Sequence, residues 1–225
     1  MSLLRRAKER IDRVRAGSPT LDCKKETLGS EYGSHTVCLE NLSSGSVVYS
    51  AGIGEDISFD LALIERTGAV VHGFDPTPRS LEWLETQDLP EKFHVHGYGF
   101  ANFDGTAMFN PPKNPNHISH TILDRPETSD GAFEVQLRRV ASIAEELGHT
   151  TIDVLKMDIE GAEYDVLDDL EKGDLVVNQL LIEFHHQFES IPFSRTQDAV
   201  RQIERMGLQL FHISDCAREY SFLRV

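Results

Sequence analysis

Residues 154–167 read VLKMDIEGAEYDVL, and this stretch decides the fold. Its mostly apolar start is typical of a buried strand, and the acidic, glycine-containing continuation is typical of a turn into a helix. Because an apolar strand holds charge poorly in its interior, we expect Asp158, Glu160 and Glu163 to emerge at its carboxyl end. In an open α/β sheet, ligands bind at that edge.

The composition fits one globular α/β domain. The chain has 225 residues, of which 40% are hydrophobic and 26% charged, and no Pro/Gly/Ser-rich linker divides it. We therefore expect a basic helix over residues 1–20 and a single domain over residues 21–225. The three cysteines lie far apart without a CxxC pair, which predicts reduced thiols rather than a disulfide framework or a thiolate zinc site.

Charge and hydropathy exclude some partners. The formal net charge of −15 repels a phosphate backbone, which argues against nucleic acid as a substrate. The sequence lacks an apolar run near the roughly 20 residues that span a bilayer, and the N-terminus lacks the apolar stretch of a secretory signal. We expect a cytoplasmic protein without a transmembrane segment.

The N-terminal segment predicts an amphipathic basic helix. Leu4, Ala7, Ile11 and Val14 fall on one helical face, and arginines and lysines surround them. Docking on the acidic body is the simplest role for such a helix. Contact with a membrane surface and formation of a homodimer are the alternatives.

Strands and helices alternate along the rest of the chain. A strand–turn–helix–strand unit covers residues 46–74, and a third strand follows at 93–97. The last two strands, at 208–213 and 220–225, are close enough in sequence to pair antiparallel. This order predicts an α/β fold with a mostly parallel sheet, helices on both faces and an antiparallel C-terminal edge.

Two segments after the third strand depart from this alternation. Residues 100–110 carry an Asp-Gly turn between short strands, which predicts an inserted hairpin. Residues 111–131 are polar, broken by prolines and too long for an ordinary connection. They predict a surface loop or an active-site lid that helps to choose the substrate.

The turn in residues 50–58, SAGIGEDIS, is a candidate cofactor loop. Gly52 and Gly54 let the backbone approach a ligand closely and aim N–H groups at it. Asp75 ends the second strand, where a carboxylate can accept hydrogen bonds from both hydroxyls of a ribose. This unit is compatible with a dinucleotide or with S-adenosylmethionine.

The residues after the glycines favour S-adenosylmethionine. A dinucleotide site requires Gly or Ala where Ile57 stands, and Glu55 and Asp56 would repel a pyrophosphate. An acidic turn suits a cationic ligand without phosphate. An NAD-dependent oxidoreductase and a non-catalytic cofactor-binding scaffold stay open as alternatives.

Several segments, taken in order, resemble the FkbM-type methyltransferases, which use S-adenosylmethionine and mostly methylate hydroxyl oxygens. The resemblance covers roughly residues 46–225. It implies a Rossmann-like class I methyltransferase fold with a seven-stranded sheet, and a small hydroxylated acceptor such as a sugar or secondary metabolite. The segments that carry it are VVYSAGIGEDISFD, HGFDPTP, FDGTAMF, RRVASIAEELG, IDVLKMDIEGAEYDVL and LLIEFH.

The resemblance also implies where the cofactor contacts lie. It places Gly52 and Gly54 beside the methionine part of S-adenosylmethionine, Asp75 at the ribose, and Gly99 and Phe100 at the adenine.

One position departs from the pattern of the wider superfamily. Ser50 stands where many members have an acidic residue. The contact to the amino group of the methionine part is therefore expected from Ser50 Oγ, from Glu55 or from backbone atoms.

Methyl transfer from a sulfonium requires alignment of the acceptor and removal of its proton. The resemblance places Asp158 facing the methyl, and we expect Asp158 to be the base or the group that orients the acceptor. His185, after the fifth strand, is the competing candidate. Asp158 could instead cap the following helix, and Glu160 and Glu163 could do no more than begin it, although an orienting role is open for both.

Asp158, Glu183 and His185 could together hold a divalent cation, because carboxylate oxygens suit magnesium or manganese. Without a clear fourth ligand we predict no metal, and we assign Glu183 an orienting role. The other histidines near these motifs, His117, His120 and His186, are expected to face solvent.

Overall fold

The structure is a computed structural model that describes residues 3–109 and 133–225, with side chains from residue 9 onward. The chain begins with helix α1 (Leu3–Arg15). An antiparallel hairpin of β1 (Lys25–Leu28) and β2 (His35–Cys38) follows. The sequence of residues 35–39 predicts a short strand, and β2 forms there, with a partner strand that the pattern did not indicate.

From residue 47 onward the strands and helices alternate largely as predicted. Both glycine-ended helices stop in the left-handed conformation that glycine tolerates, at Gly68 and Gly148. The elements are β3 (Val47–Ala51), α2 (Ser58–Thr67), β4 (Val70–Phe74), α3 (Pro78–Leu84), β5 (Phe93–His96), β6 (Gly99–Phe100), β7 (Gly105–Phe109), β8 (Phe133–Arg138), α4 (Val140–Leu147), β9 (Thr151–Met157), α5 (Glu163–Leu170), β10 (Val176–Glu183), α6 (Phe193–Arg205), β11 (Leu208–Ile213) and β12 (Glu219–Arg224).

Seven strands form the main sheet, in the order β11-β12-β10-β9-β3-β4-β5. The five strands from β10 to β5 are parallel, and β12 is antiparallel to both of its neighbours. The predicted seven-stranded, mostly parallel sheet with an antiparallel C-terminal edge is confirmed. The strand order reverses between β3 and β9, so the crevice in which such sheets bind ligands opens at the carboxyl ends of these two strands.

Both faces of the sheet are covered. Tyr49 and Leu155 point to the face that packs against α4, α5 and α6, whereas Val48 and Val154 point to the face covered by α2, α3 and the β1–β2 hairpin. The amide of Gln179 helps to hold the hairpin there. It accepts a hydrogen bond from the Cys38 N–H at 3.0 Å and donates one to the Cys38 carbonyl at 2.8 Å.

The hairpin predicted for residues 100–110 is wrong. β6 and β7 do not pair with each other, because β8 lies between them in a separate three-stranded sheet of order β6-β8-β7. The turn is tied to the residues around β8 instead. Asp104 accepts hydrogen bonds from the Arg139 N–H at 3.0 Å and from Ser142 Oγ at 2.7 Å. The predicted lid, residues 111–131, lies outside the described residues, and so do His117 and His120.

In the part of helix α1 whose side chains are described, from residue 9 onward, the apolar face does not dock on the body of the protein. Ile11 and Val14 are 53% and 78% exposed, whereas Asp12 is 5% exposed. The described apolar side chains therefore face away from the body of the protein, and a role in a homodimer or at a membrane surface stays a prediction. Within the residues that the structure covers, no helix has the length and apolar character needed to cross a bilayer.

Candidate active site at the carboxyl edge of the sheet

A cleft of about 1200 Å³, part of it open to solvent, lies at the carboxyl ends of the parallel strands. It brings together most of the residues predicted from the sequence. Those that line it are Gly52, Gly54, Glu55, Asp75, Gly99, Phe100, Asp158, Glu160 and Glu183. Ser50, Glu163 and His185 are 0%, 0% and 3% exposed and stand behind this lining.

The glycine loop is folded against the end of β9. Gly52 has a φ of +73°, and a Cβ atom added there would lie 1.7 Å from the carbonyl oxygen of Asp158. Only glycine fits this crossing of two backbones. Gly54, with a φ of +57°, donates its N–H to Asp75 Oδ2 at 2.9 Å. The two glycines therefore join the ends of β3, β4 and β9.

Asp75 lies directly after β4 and is 5% exposed. Its Oδ1 atom accepts hydrogen bonds from the N–H and the hydroxyl of Thr77, at 2.9 and 2.6 Å. Because a carboxylate offers about four lone-pair sites, three hydrogen bonds leave it able to accept another. The surrounding donors hold its side chain in place at the cleft wall.

The two acids of the GIGED turn already have partners. Glu55 forms a bidentate pair with Arg79, at 2.9 and 3.0 Å. Asp56 accepts from Ser30 Oγ at 2.5 Å and from the Ser58 N–H at 2.8 Å. Partial burial would raise the pKa of Asp56, but these hydrogen bonds outweigh it and lower the pKa.

A third acid near this loop, Asp60 on α2, was missed by sequence reasoning. It lines the cleft and is 2% exposed, and its Oδ1 atom has no hydrogen-bond partner in the described structure. Burial raises the pKa of Asp60 to about 6, although the charge of Lys156 opposes that shift. The Ser50 hydroxyl also lowers the pKa of Asp60, yet neither Ser50 Oγ nor Asp60 Oδ1 has a partner with full hydrogen-bond geometry among the described residues. The available signal was a charged residue on the buried face of an apolar helix.

Lys156 is an exception to the expected absence of charge in β9. Its side chain is 6% exposed, and its ammonium donates to the carbonyls of Ala51 and Gly52 at 3.2 and 2.9 Å. These two carbonyls and the nearby carboxylate of Asp60 compensate the buried charge. The lysine thereby fixes the backbone on which the glycine loop begins.

The β1–β2 hairpin forms one wall of the cleft, and no motif indicated this. Residues 32–35 line the cleft, and a Cβ atom added to Gly33 would lie 2.7 Å from the carboxylate of Asp56. The His35 ring packs edge-on against Phe59. Burial, and then the charge of Lys156, lower the pKa of His35 to about 3, so this ring is neutral at pH 7.

Across the cleft, the turn after β9 is built around a buried carboxylate. Glu160 and Gly161 have φ values of +55° and +102°, and Glu163 is fully buried. Glu163 Oε1 accepts from the N–H groups of Ile159 and Gly161, at 3.0 and 3.2 Å. Glu163 therefore does more than begin α5, and Glu160 lies in the turn rather than in the helix.

His185 connects this buried carboxylate to the cleft. Its Nδ1 atom lies 2.8 Å from Glu163 Oε1, and its Nε2 atom lies 3.5 Å from Asp158 Oδ1 and 3.6 Å from Glu160 Oε2. Burial would lower the pKa of His185, but the charges of Glu163, Asp158 and Glu160 raise it to about 10. Asp158 does not cap α5, whose N-cap residue is Ala162.

The end of β10 adds a further acid to this side. Glu183 lines the cleft and lies 3.3 Å from Arg218. Burial, and then the charge of Asp158, raise the pKa of Glu183 to about 8. His186, expected to face solvent, is 4% exposed, and its Nδ1 atom lies 3.1 Å from Thr196 Oγ1.

The sequence pattern described as the "Methyltransferase FkbM domain" matches residues 46–210. The chain belongs to this family of S-adenosylmethionine-dependent methyltransferases. This match confirms the family that the motif order suggested, and it covers most of the segment on which the resemblance rested.

Two curated relatives carry the name "Probable methyltransferase-like protein 24", from Homo sapiens and Rattus norvegicus. Each is 28% identical to this chain over 188 residues, or 79% of it. The match spans 45% and 46% of their lengths, so the chain covers less than half of the relatives it resembles.

Among solved structures, the chain is similar to the fibrillarin pre-rRNA processing protein of Methanococcus jannaschii. The TM-score is 0.50 at 8% identity, and the similarity covers 81% of this chain and 67% of that one. At this identity the likeness concerns the fold alone. It agrees with a class I methyltransferase fold.

Proposed function

We propose that this chain binds S-adenosylmethionine in the cleft and transfers its methyl group to a hydroxyl oxygen of a small molecule. The observation that carries the proposal is the meeting of the glycine loop, Asp75 and Asp158 at one sheet edge. Membership of the FkbM family supports methyl transfer. The choice of oxygen rests on the family resemblance.

The charge of the cleft suits this cofactor. When bound, S-adenosylmethionine supplies a methyl group on a positively charged sulfonium, and it also carries an ammonium group. Because opposite charges attract strongly in a partly buried site, an acidic cleft favours such a cation. Eight described lining residues are acidic: Glu55, Asp56, Asp60, Asp75, Asp158, Glu160, Glu183 and Glu219.

Asp60 is the residue that we assign to the ammonium group. Its buried Oδ1 atom has no hydrogen-bond partner among the described residues, and an unsatisfied buried acceptor is costly. A donor from the cofactor would satisfy it. Ser50 is fully buried behind the cleft and Glu55 is engaged by Arg79, so neither is placed as well as Asp60.

The remaining cofactor contacts follow the strand ends. Asp75 keeps the capacity to accept a hydrogen bond from a ribose hydroxyl. Gly99 and Phe100, both part of the cleft wall, would contact the adenine. Phe100 is an aromatic surface suited to a flat ring.

We assign Asp158 to the acceptor. Its side chain is 31% exposed and lines the cleft, whereas the ring of His185 is 3% exposed behind it. Asp158 is therefore the group that can contact the acceptor hydroxyl, orient it and take its proton. His185 is a positioning residue that acts through Asp158.

Calorimetric titration with S-adenosylmethionine tests this proposal. The intact chain should bind it with one-to-one stoichiometry, and Asp60→Asn should weaken binding about 10- to 100-fold by removing a charge-assisted hydrogen bond. Asp198→Asn is the matched control, because this exposed α6 residue loses the same charge away from the cleft.

Absence of saturable heat with the intact chain would sink the cofactor assignment. Equal affinities for Asp60→Asn and the control would overturn the role of Asp60 alone. Methyl transfer from labelled cofactor to a panel of hydroxylated small molecules, lost on Asp158→Ala, separates an enzyme from a scaffold that only binds the cofactor. An NAD-dependent oxidoreductase is not proposed, since Ile57 stands where a dinucleotide site requires Gly or Ala and the lining of the cleft is acidic.

A further inference from the structure

Three potential metal ligands converge on one point of the cleft. His185 Nε2 lies 3.5 Å from Asp158 Oδ1 and 3.6 Å from Glu160 Oε2, and one ligand atom from each of the three residues lies within 4.8 Å of the others. Two ligands of a single ion with bonds of about 2.1 Å stand about 3 to 3.5 Å apart. The three atoms are therefore placed to share an ion with little movement.

The histidine ring is oriented as a metal ligand requires. Its Nδ1 atom lies 2.8 Å from Glu163 Oε1, and a carboxylate accepts rather than donates, so the Nδ1 position carries the proton. Nε2 then points toward the carboxylates of Asp158 and Glu160, at 3.5 and 3.6 Å. A histidine ordered by a buried carboxylate through its other nitrogen is the usual outer arrangement of a metal ligand.

The position of Glu163 is fixed independently of His185. The N–H groups of Ile159 and Gly161 both donate to the same Oε1 atom, and the side chain is fully buried. The anchor of the imidazole therefore does not depend on any ligand. The ring of His185, 3% exposed, is presented to the cleft in one orientation.

The local charge also favours a bound cation. Asp158, Glu160, Glu163 and Glu183 surround His185, and the guanidinium of Arg218 lies beside Glu183. The ammonium of Lys156 is held by the carbonyls of Ala51 and Gly52 instead. Like charges that share a site repel one another strongly, so a divalent ion would stabilise this group of carboxylates.

We propose that Asp158, Glu160 and His185 bind a first-row divalent transition-metal ion such as Mn²⁺. One imidazole and two carboxylates suit such an ion better than Mg²⁺, which prefers oxygen ligands alone. Three protein ligands leave coordination positions open toward the cleft. Resting on the function proposed above, this ion would hold the oxygen of the acceptor hydroxyl. Glu183, considered from the sequence as a ligand, is not among the residues whose ligand atoms lie within 4.8 Å of one another, and it pairs with Arg218.

Titration with Mn²⁺ in the absence of S-adenosylmethionine tests the inference, because electron paramagnetic resonance reports the free ion directly. We expect one bound ion per chain, and an affinity at least 10-fold lower for Glu160→Gln. Glu171→Gln removes the same charge from a partly exposed residue that pairs with Arg205, and it should bind Mn²⁺ like the unmodified chain.

His185→Gln adds a second variant, and circular dichroism of each variant checks that it folds. A lack of saturable Mn²⁺ binding, or equal binding by Glu160→Gln and Glu171→Gln, would overturn the metal site. Mn²⁺ binding without S-adenosylmethionine binding would overturn the proposed function and keep the metal site. Binding of S-adenosylmethionine without binding of Mn²⁺ would overturn the metal site and keep the proposed function.

Discussion

The two sides of the cleft hold their carboxylates in different ways. In the glycine-loop half, at the ends of β3 and β4, Asp56 and Asp75 each accept hydrogen bonds. The donors are residues close in sequence or residues of the cleft wall formed by the β1–β2 hairpin. In the histidine half, at the ends of β9 and β10, Asp158 and Glu160 converge on His185 at distances longer than hydrogen bonds. The acids of the first half are held by hydrogen bonds, apart from Asp60, whose Oδ1 atom is unpartnered together with Ser50 Oγ among the described residues. In the second half, two carboxylates surround one imidazole.

This difference shows which carboxylates of the cleft a bound ligand would stabilise most. A carboxylate such as Asp75, which already accepts three hydrogen bonds, gains little from a cation, because its charge is already stabilised. Asp60, whose buried Oδ1 atom has no hydrogen-bond partner among the described residues, gains more from a donor. Asp158 and Glu160 converge on His185, and they also gain more from a cation because like charges that share a site repel one another. These are the two contacts that we assign to ligands.

The largest expected effect on stability comes from a substitution at Gly52, where the two halves of the cleft contact each other. Gly52→Ala would place a Cβ atom 1.7 Å from the Asp158 carbonyl, at a φ of +73°. Since backbone cannot yield as a side chain does, we expect the free energy of unfolding to fall by at least about 3 kcal/mol. Urea denaturation measures this loss.

Gly148→Ala is the matched control for that substitution. Its φ is +75°, yet a Cβ atom there would have no neighbour within 4 Å. This substitution should lower the free energy of unfolding by only about 1 kcal/mol, because alanine is less stable than glycine in the left-handed conformation. Equal losses for the two variants would show that conformation, rather than close approach, requires glycine at position 52.

An intermediate effect is expected from pH, through His35 in the glycine-loop half. The pKa of His35 falls from an ordinary 6.5 to about 3 on folding. The unfolded chain therefore takes up a proton below about pH 6.5 that the folded chain refuses, so stability is complete above that pH and is lost as pH falls toward 3. Between pH 7 and pH 5, protonation of His35 in the unfolded chain should lower the free energy of unfolding by about 2 kcal/mol.

His35→Gln measures that contribution, because glutamine does not titrate. The difference in unfolding free energy between the two proteins should be constant from pH 8 to 7 and should then shift by about 2 kcal/mol in favour of the variant by pH 5. Parallel curves down to pH 5 would contradict the lowered pKa of His35.

The smallest effect is expected in the histidine half, at Glu160. Its φ of +55° is unfavourable for a residue with a Cβ atom. Glu160→Gly should therefore leave the unfolding free energy unchanged or raise it by up to about 1 kcal/mol. Glu160→Ala removes the carboxylate but keeps the Cβ atom, so thermal denaturation of both variants separates the carboxylate from the backbone. A loss of stability in Glu160→Gly but not in Glu160→Ala would contradict the idea that the backbone of residue 160 is strained.

The glycine-loop half was largely predictable because its signals are local. The strand, the GIGED turn and Asp75 lie within one βαβ unit, so their spacing alone brings Gly54 and Asp75 together at the end of the sheet. Asp60 shows the limit of this reasoning. Its position on α2 was predicted, but its exposure to the cleft depends on how that helix packs.

The histidine half could be predicted only in part. Asp158 and His185 follow neighbouring parallel strands, so their meeting at one edge was expected. The role of Glu163 as the anchor of His185 was not, because acidic residues are common in a first helical turn for electrostatic reasons alone. The inserted hairpin was wrong because Asp104 bonds to residues more than 30 positions away, which a local turn signal does not contain.

The sequence by itself determined the family, the order of the strands and helices, and the edge of the sheet that carries the site. Periodicity and turn residues act over a few positions, and parallel strands align their carboxyl ends wherever they pair. Which acidic side chains have hydrogen-bond partners became known from the tertiary structure alone. That depends on distances between groups far apart in the chain, as between Glu163 and His185 or between Gly52 and Asp158.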